Sequence, residues 1–174
     1  DIATILTPEQ IKNKFLNSTI KVIDTGIEHG SLTIILNNLK FEITTLRKDI
    51  KSDGRHAEIS YSDSWEEDSK RRDFTINAIY MDRKGKYFDP QNGINDLKNR
   101  LVKFIGDPSL RIEEDFLRII RFIRFSLYYN SISNEKTIEA IKLHLNGIKN
   151  ISKERILNEL IKILNKKNFR ELIY

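Results

Sequence analysis

Asp115, Arg118, Arg121 and Arg124 follow one another at three-residue intervals, with Phe122 and Phe125 set between them. Cations at that spacing, interleaved with aromatic rings, suit an anionic, flat ligand. A guanidinium can hold phosphate and can also stack on a base, so a nucleotide is the ligand class implied. The competing reading is an Asp115–Arg118 ion pair on a solvated helix face. Two carboxylates elsewhere have metal-binding potential: Asp1 and Glu42 could hold Mg²⁺ if their strands are neighbours. Arg72, Asp73 and Asn77 stand beside Phe74, Ile76 and Ala78. Charges so close to apolar residues are costly unless paired, which leaves a salt-bridged role and a ligand-binding role both open. His29, in a loop with two glycines, reads more readily as a structural hydrogen-bonding residue than as a base.

These residues need a scaffold. Asp1 leads into strand-like residues 1–4. Thr7, Pro8 and Gln10 form a capping box with proline at the first helical position, and Ile11 and Phe15 supply that helix's buried side. Residues 20–23 and 31–36 read as strands, and Asn37-Asn38 as a hairpin turn. In the returning strand, residues 39–46, alternation puts Leu39, Phe41, Ile43 and Thr45 on one face and turns Glu42 to the other. Residues 49–63 are polar and read as a long loop centred on residues 52–56. Ser64 caps a helix expected to run through Ala78. A small hairpin (79–81 with 86–89), a helix at 93–99 and a strand at 101–104 follow. Beyond Asp107 only helices are expected: residues 111–125, 135–145, 152–165 and a short one ending at Tyr174. The first of these should bury Phe116, Ile119, Ile120 and Ile123.

The chain has 174 residues, 39% of them hydrophobic and 32% charged, so it is a folded protein of one or two small cores. A net charge of +5 permits a nucleic-acid partner. The absence of cysteine excludes disulfides and thiolate metal sites, and a cytoplasmic setting is the default. No apolar run is long enough for a membrane span, and no signal peptide is visible. A start at Asp1 rather than Met reads as a fragment.

Four stretches, in this order, carry a resemblance: residues 1–4 (DIAT), 41–45 (FEITT), 71–78 (RRDFTINA) and 114–118 (EDFLR). Together they resemble the class II tRNA nucleotidyltransferases, or CCA-adding enzymes, and the related bacterial poly(A) polymerases. Residues 151–160 (ISKERILNEL) resemble the segment closing that family's helical neck. The resemblance implies an α+β fold: a polymerase-β-like nucleotidyltransferase head, a mixed sheet with helices, followed by an all-helical neck. The corresponding division is residues 1–106 and 107–174. It implies Mg²⁺ held by Asp1, as the second Asp of an Asp-x-Asp motif, and by Glu42, as the third carboxylate. The first Asp would lie two residues before Asp1. The triphosphate-gripping Gly-Gly loop and the tRNA-holding body and tail also match nothing in this chain.

The resemblance further implies that Arg72 contacts the nucleotide, that Asp73 organises the site around it, and that Arg121 and Arg124 also reach the incoming nucleotide. Charge balance with Glu113 and Glu114 is their competing role. Asp115 and Arg118 would select cytosine and adenine, both of which present an amine donor beside a ring-nitrogen acceptor. The implied substrates are ATP, CTP and the 3′ end of tRNA. The chain alone is expected to be inactive, with the segment before Asp1 supplied in the same protein or as a separate partner chain. A poly(A) polymerase of the same family and a non-catalytic nucleotide- or RNA-binding remnant are the alternatives.

Overall fold

The computed structural model describes residues 1–52, 57–132 and 134–166. Two compact units result: residues 1–52 with 57–71, and residues 72–132 with 134–166.

The first unit is built on a four-stranded sheet. Its elements are β1 (Ile2–Thr4), α1 (Pro8–Phe15), β2 (Lys21–Gly26), β3 (Ser31–Leu36), β4 (Leu39–Thr45), β5 (Arg47–Ser52), β6 (Ala57–Tyr61) and α2 (Trp65–Arg71). The sheet order is β1-β4-β3-β2, with β1 parallel to β4 and the other pairs antiparallel. The expected capping box starts α1: Gln10 N–H donates to Thr7 Oγ1, and Thr7 N–H donates to Gln10 Oε1. Ile11 of α1 packs on Leu32, Ile34 and Ile43, so α1 covers one face of the sheet. Thr33 and Glu42, partners in register, face the other way. The hairpin turn at Asn37 and Asn38 has φ of 50° and 63°, which asparagine tolerates better than most residues.

The expected loop at 49–63 is instead largely the β5–β6 hairpin, paired from Arg47↔Tyr61 to Ser52↔Ala57 with a register shift between Asp49 and Lys51. Backbone pairing satisfies this polar stretch without a strong apolar face, so its pattern concealed the strands. Residues 53–56 lie outside the described residues. The helix opened by Ser64 ends at Arg71 rather than at Ala78.

The second unit holds β7 (Tyr80–Met81), β8 (Tyr87–Phe88), α3 (Gly93–Lys98), α4 (Pro108–Glu114), α5 (Leu117–Tyr129), α6 (Glu135–His144) and α7 (Lys153–Leu164). Residues Thr75–Asn77 and Leu145–Asn150 are 3₁₀ turns. Phe74 leaves the helical path to bridge Phe104, their rings 4.7 Å apart. That single bridge stands where residues 101–104 read as a strand. The core joins Phe74, Val102, Phe104, Ile112, Ile119 and Phe122. Residues 72–106 therefore pack with the helices that follow, and the compact units divide at Arg71/Arg72.

The helix expected over 111–125 is two helices. Asp115 is extended, with φ −158° and ψ 105°, and ends α4. The break lets α4 pack on α6 and α5 on α7. It also rotates the buried face: Phe122 is buried, while Ile123 is 44% exposed. The short helix expected to reach Tyr174 lies beyond the described residues.

Candidate active site

Asp1 and Glu42 come together on the open face of the first unit's sheet. The parallel register pairs Ile2 with Ile43, which sets Asp1 alongside Glu42. Both line a cleft of about 310 Å³ with Thr33 and Lys40. Both are exposed, and neither side chain has a hydrogen bond or ion pair among the described residues. Two unengaged hard oxygen donors at a cleft fit a hard divalent cation, which also takes water and phosphate oxygens. Among the described residues no group of three or more His, Cys, Asp or Glu forms a metal cluster. His29 supplies its carbonyl to Arg47, in keeping with a structural role. Arg71 is structural as well: it bonds Asp68 Oδ1 at 2.7 Å and the Arg47 carbonyl at 3.2 Å.

In the second unit, Arg72 and Asp73 open a polar network. Arg72 Nε donates to Tyr80 Oη at 3.2 Å and Nη1 to the Asn77 carbonyl at 3.1 Å, with the guanidinium over the Tyr80 ring. Asp73, 8% exposed, accepts from Phe74 N–H at 2.9 Å, Asn77 Nδ2 at 2.8 Å and Arg121 Nε at 2.6 Å. Burial alone would raise the Asp73 pKa. The Arg121 charge and the hydrogen bonds from Asn77, Arg121 and Phe74 outweigh it and hold the carboxyl below its usual range.

Arg124 Nε donates to Glu159 Oε2 at 2.6 Å, and its guanidinium lies 4.0 Å from the Phe125 ring centroid. Arg124 and Glu159 are both buried. Neither Arg121 nor Arg124 is paired with Glu113 or Glu114 among the described residues; their acidic partners are Asp73 and Glu159.

Asp115 and Arg118 adjoin at the helix break, and the Arg118 N–H donates to the Asp115 carbonyl at 3.0 Å. Their side chains do not pair with each other. Arg118 Nη1 donates to Glu114 Oε2 at 2.6 Å and to the Arg111 carbonyl at 2.7 Å. Asp115 Oδ2 accepts from Arg155 Nη2 at 2.7 Å, and Oδ1 from Leu117 N–H at 3.1 Å. Unused lone pairs remain on Asp115, and the Nε and Nη2 groups of Arg118 have no partner among the described residues. Arg111, beside Arg118, has its pKa lowered by burial and by that neighbouring cation, with Glu114 opposing.

Sequence reasoning missed Arg155 and Glu159 as parts of this network. Both lie in residues 151–160, one helical turn apart on α7, so the signal was present without an assigned role. Among the described residues, no helix is long and apolar enough to cross a membrane.

Residues 1–103 match the family model described as Poly A polymerase head domain. Residues 134–173 match that described as Probable RNA and SrmB-binding site of polymerase A. The CCA tRNA nucleotidyltransferase 1, mitochondrial, of Homo sapiens is 43% identical over 181 residues, covering 100% of this chain and 41% of that protein. The CCA-adding enzyme of Lactobacillus helveticus is 41% identical over 165 residues, covering 94% of this chain and 40% of that one. The solved Bacillus stearothermophilus CCA-adding enzyme in complex with CTP aligns with a TM-score of 0.85 at 32% identity, covering 98% of this chain and 40% of that one. The chain spans about two fifths of the length of these relatives. Its head-domain match covers more than half of its residues, and the chain belongs to the class II tRNA nucleotidyltransferase and poly(A) polymerase family.

Proposed function

We propose that this chain carries the nucleotide-selecting pair and two metal-binding carboxylates of a template-independent nucleotidyltransferase that adds C and A to the 3′ end of tRNA. The observation that carries this reading is the placement of Asp115 and Arg118 at the helix break, each with hydrogen-bonding capacity left over. In functional terms residues 1–106 serve as the head and 107–174 as the nucleotide- and RNA-binding neck, although packing joins 72–106 to the helices. The names of the relatives favour CCA addition over poly(A) synthesis.

Cytosine and adenine each present an amine beside an unprotonated ring nitrogen. Asp115 accepts from the amine and Arg118 donates to the ring nitrogen. Uracil and guanine reverse that polarity and leave both side chains unsatisfied, at about 1–3 kcal/mol for each buried group. Arg72 contacts the nucleotide, held in place by Tyr80 and the Asn77 carbonyl, while Asp73 fixes the segment behind it. Arg121, bonded to Asp73, adds a half-buried cationic edge, and Arg124, committed to Glu159, adds its field to the same face of α5. Asp1 and Glu42 hold Mg²⁺, which when bound neutralises phosphate charge and favours ionisation of the attacking 3′-hydroxyl. The cysteine-free chain suits a reducing compartment, in the first instance the cytoplasm.

The test is incorporation of each of the four nucleotides into a tRNA lacking CCA by the full-length protein. Asp115→Ala should lower the rate with CTP and ATP and raise misincorporation of UTP and GTP. A variant with unchanged discrimination would rule out the base-reading role.

A further inference from the structure

The Asp115 carboxylate is held from two sides. Leu117 N–H holds Oδ1 from within the helix break, and Arg155 Nη2 holds Oδ2 from α7, 40 positions away. Arg155 stands in the first turn of α7, where its own N–H donates to the capping hydroxyl of Ser152 at 3.4 Å. A cation there opposes the helix dipole, so this arginine does little for α7 itself. Its partner across the fold is Asp115. One turn further along α7, Glu159 bonds Arg124 of α5 at 2.6 Å. Two side chains of α7 thus grip the chain at the break and in the middle of α5.

We propose that Arg155 is a positioning residue for base selection. It fixes the plane of the Asp115 carboxylate so that the remaining lone pairs, beside Arg118, meet an amine and turn away a carbonyl. The favoured ligand is a nucleoside triphosphate whose base carries an exocyclic amine next to an unprotonated ring nitrogen. This rests on the reading of Asp115 and Arg118 as the base-selecting pair. A carboxylate held at one oxygen turns readily about its last side-chain bond, because that torsion is broad. A turned carboxylate meets the base off-line, where a hydrogen bond weakens steeply.

The experiment compares Arg155→Met, Arg155→Lys, Ile156→Ala and Asp115→Ala in the full-length protein. Equilibrium binding of CTP and UTP, incorporation of both nucleotides, and thermal midpoints are measured for each. Arg155→Met should lose about tenfold of the preference for CTP over UTP with little change in melting. Arg155→Lys should regain part of that preference, since it keeps the charge but not the planar fork. Ile156, partly buried against the α5–α7 core, is the structural control. Its alanine variant should melt lower yet keep the preference. Full preference in Arg155→Met, with preference lost in Asp115→Ala, overturns the role of Arg155 and leaves base reading standing. Full preference in Asp115→Ala means that the base-reading pair itself is wrong, and the role of Arg155 falls with it. Parallel loss of preference and melting temperature in Arg155→Met and Ile156→Ala makes Arg155 a packing residue and also overturns the proposal.

Discussion

Arg121 Nε donates to Asp73 Oδ2 at 2.6 Å across 48 positions of sequence, tying α5 to the segment that leads into the Thr75–Asn77 turn. Asp73 is 8% exposed, so removing Arg121 takes away its hydrogen-bonded cation and leaves the buried charge to Phe74 N–H, Asn77 Nδ2 and the field of Arg111. Arg121→Met should cost about 3 kcal/mol of stability. Urea denaturation would show this as a lower midpoint at an unchanged slope. A shift corresponding to less than about 1 kcal/mol would place Arg121 among ordinary surface ion pairs.

The same network predicts a one-sided response to pH. Burial by itself raises the carboxyl pKa of both Asp73 and Glu159. Around Asp73 the Arg121 charge and three hydrogen bonds reverse that, and around Glu159 the bonds from Lys162 and Arg124 do so. Both native values end below the usual carboxylate range. The unfolded chain therefore takes up protons first as the pH falls. The stabilisation is complete above about pH 5 and drains away as pH drops through the native values. Melting followed by circular dichroism should give a midpoint that holds from about pH 7 to 5 and then declines, less steeply in Arg121→Met. A midpoint unchanged down to about pH 3 would contradict the linkage.

Glu42 gives the opposite profile, with function at stake and little stability. It is exposed, points away from the sheet's covered face, and its side chain has no hydrogen bond or ion pair among the described residues. Glu42→Gln should change stability by less than about 0.5 kcal/mol. It should lower the single-turnover rate of the full-length protein by about 10²-fold or more. Lost stability with a normal rate would assign Glu42 to structure.

Gly147 tests how tightly the start of α5 is seated. A Cβ there would stand 2.1 Å from Cδ1 of Phe116, the residue between Asp115 and Leu117. The ring must move, so Gly147→Ala should cost about 2 kcal/mol. Because Phe116 adjoins the break, selection between CTP and UTP should weaken alongside melting. A variant as stable as the parent would mean that the ring has another place to go.

What was legible in the sequence was local. Thr7, Pro8 and Gln10 specify a helix start within four residues, and Asn37-Asn38 specify a turn within two. Strand alternation sufficed to turn Glu42 outward. The break at Asp115 was hidden because no glycine or proline marks it and apolar residues continue on both sides. It is stabilised by an acceptor for Leu117 N–H and by Arg155, which is 40 positions distant. The early end of α2 was hidden for a similar reason, since Phe74 finds a better partner in Phe104 than in a further helical turn. The β5–β6 hairpin lacked a clear apolar alternation.

The parallel pairing of β1 with β4 bears on how the chain reaches its folded state. β3 and β4 are joined by a two-residue turn, and hairpins of this kind close within microseconds. β1 reaches Ile43 only after a loop containing α1, β2 and β3 has closed, a slower event with more entropy to overcome. Glu42 is therefore set on a formed strand before Asp1 arrives beside it. The Leu46 amide, which donates to the Thr4 carbonyl at 2.7 Å, reports the later event. Pulse-labelled hydrogen exchange should find it protected after the amides shared by β3 and β4; simultaneous protection would argue for a single concerted closure. Until β1 docks, β4 offers an unpaired edge, so the side of the sheet that ends as the cleft lined by Asp1 and Glu42 begins as an edge open to pairing with another chain.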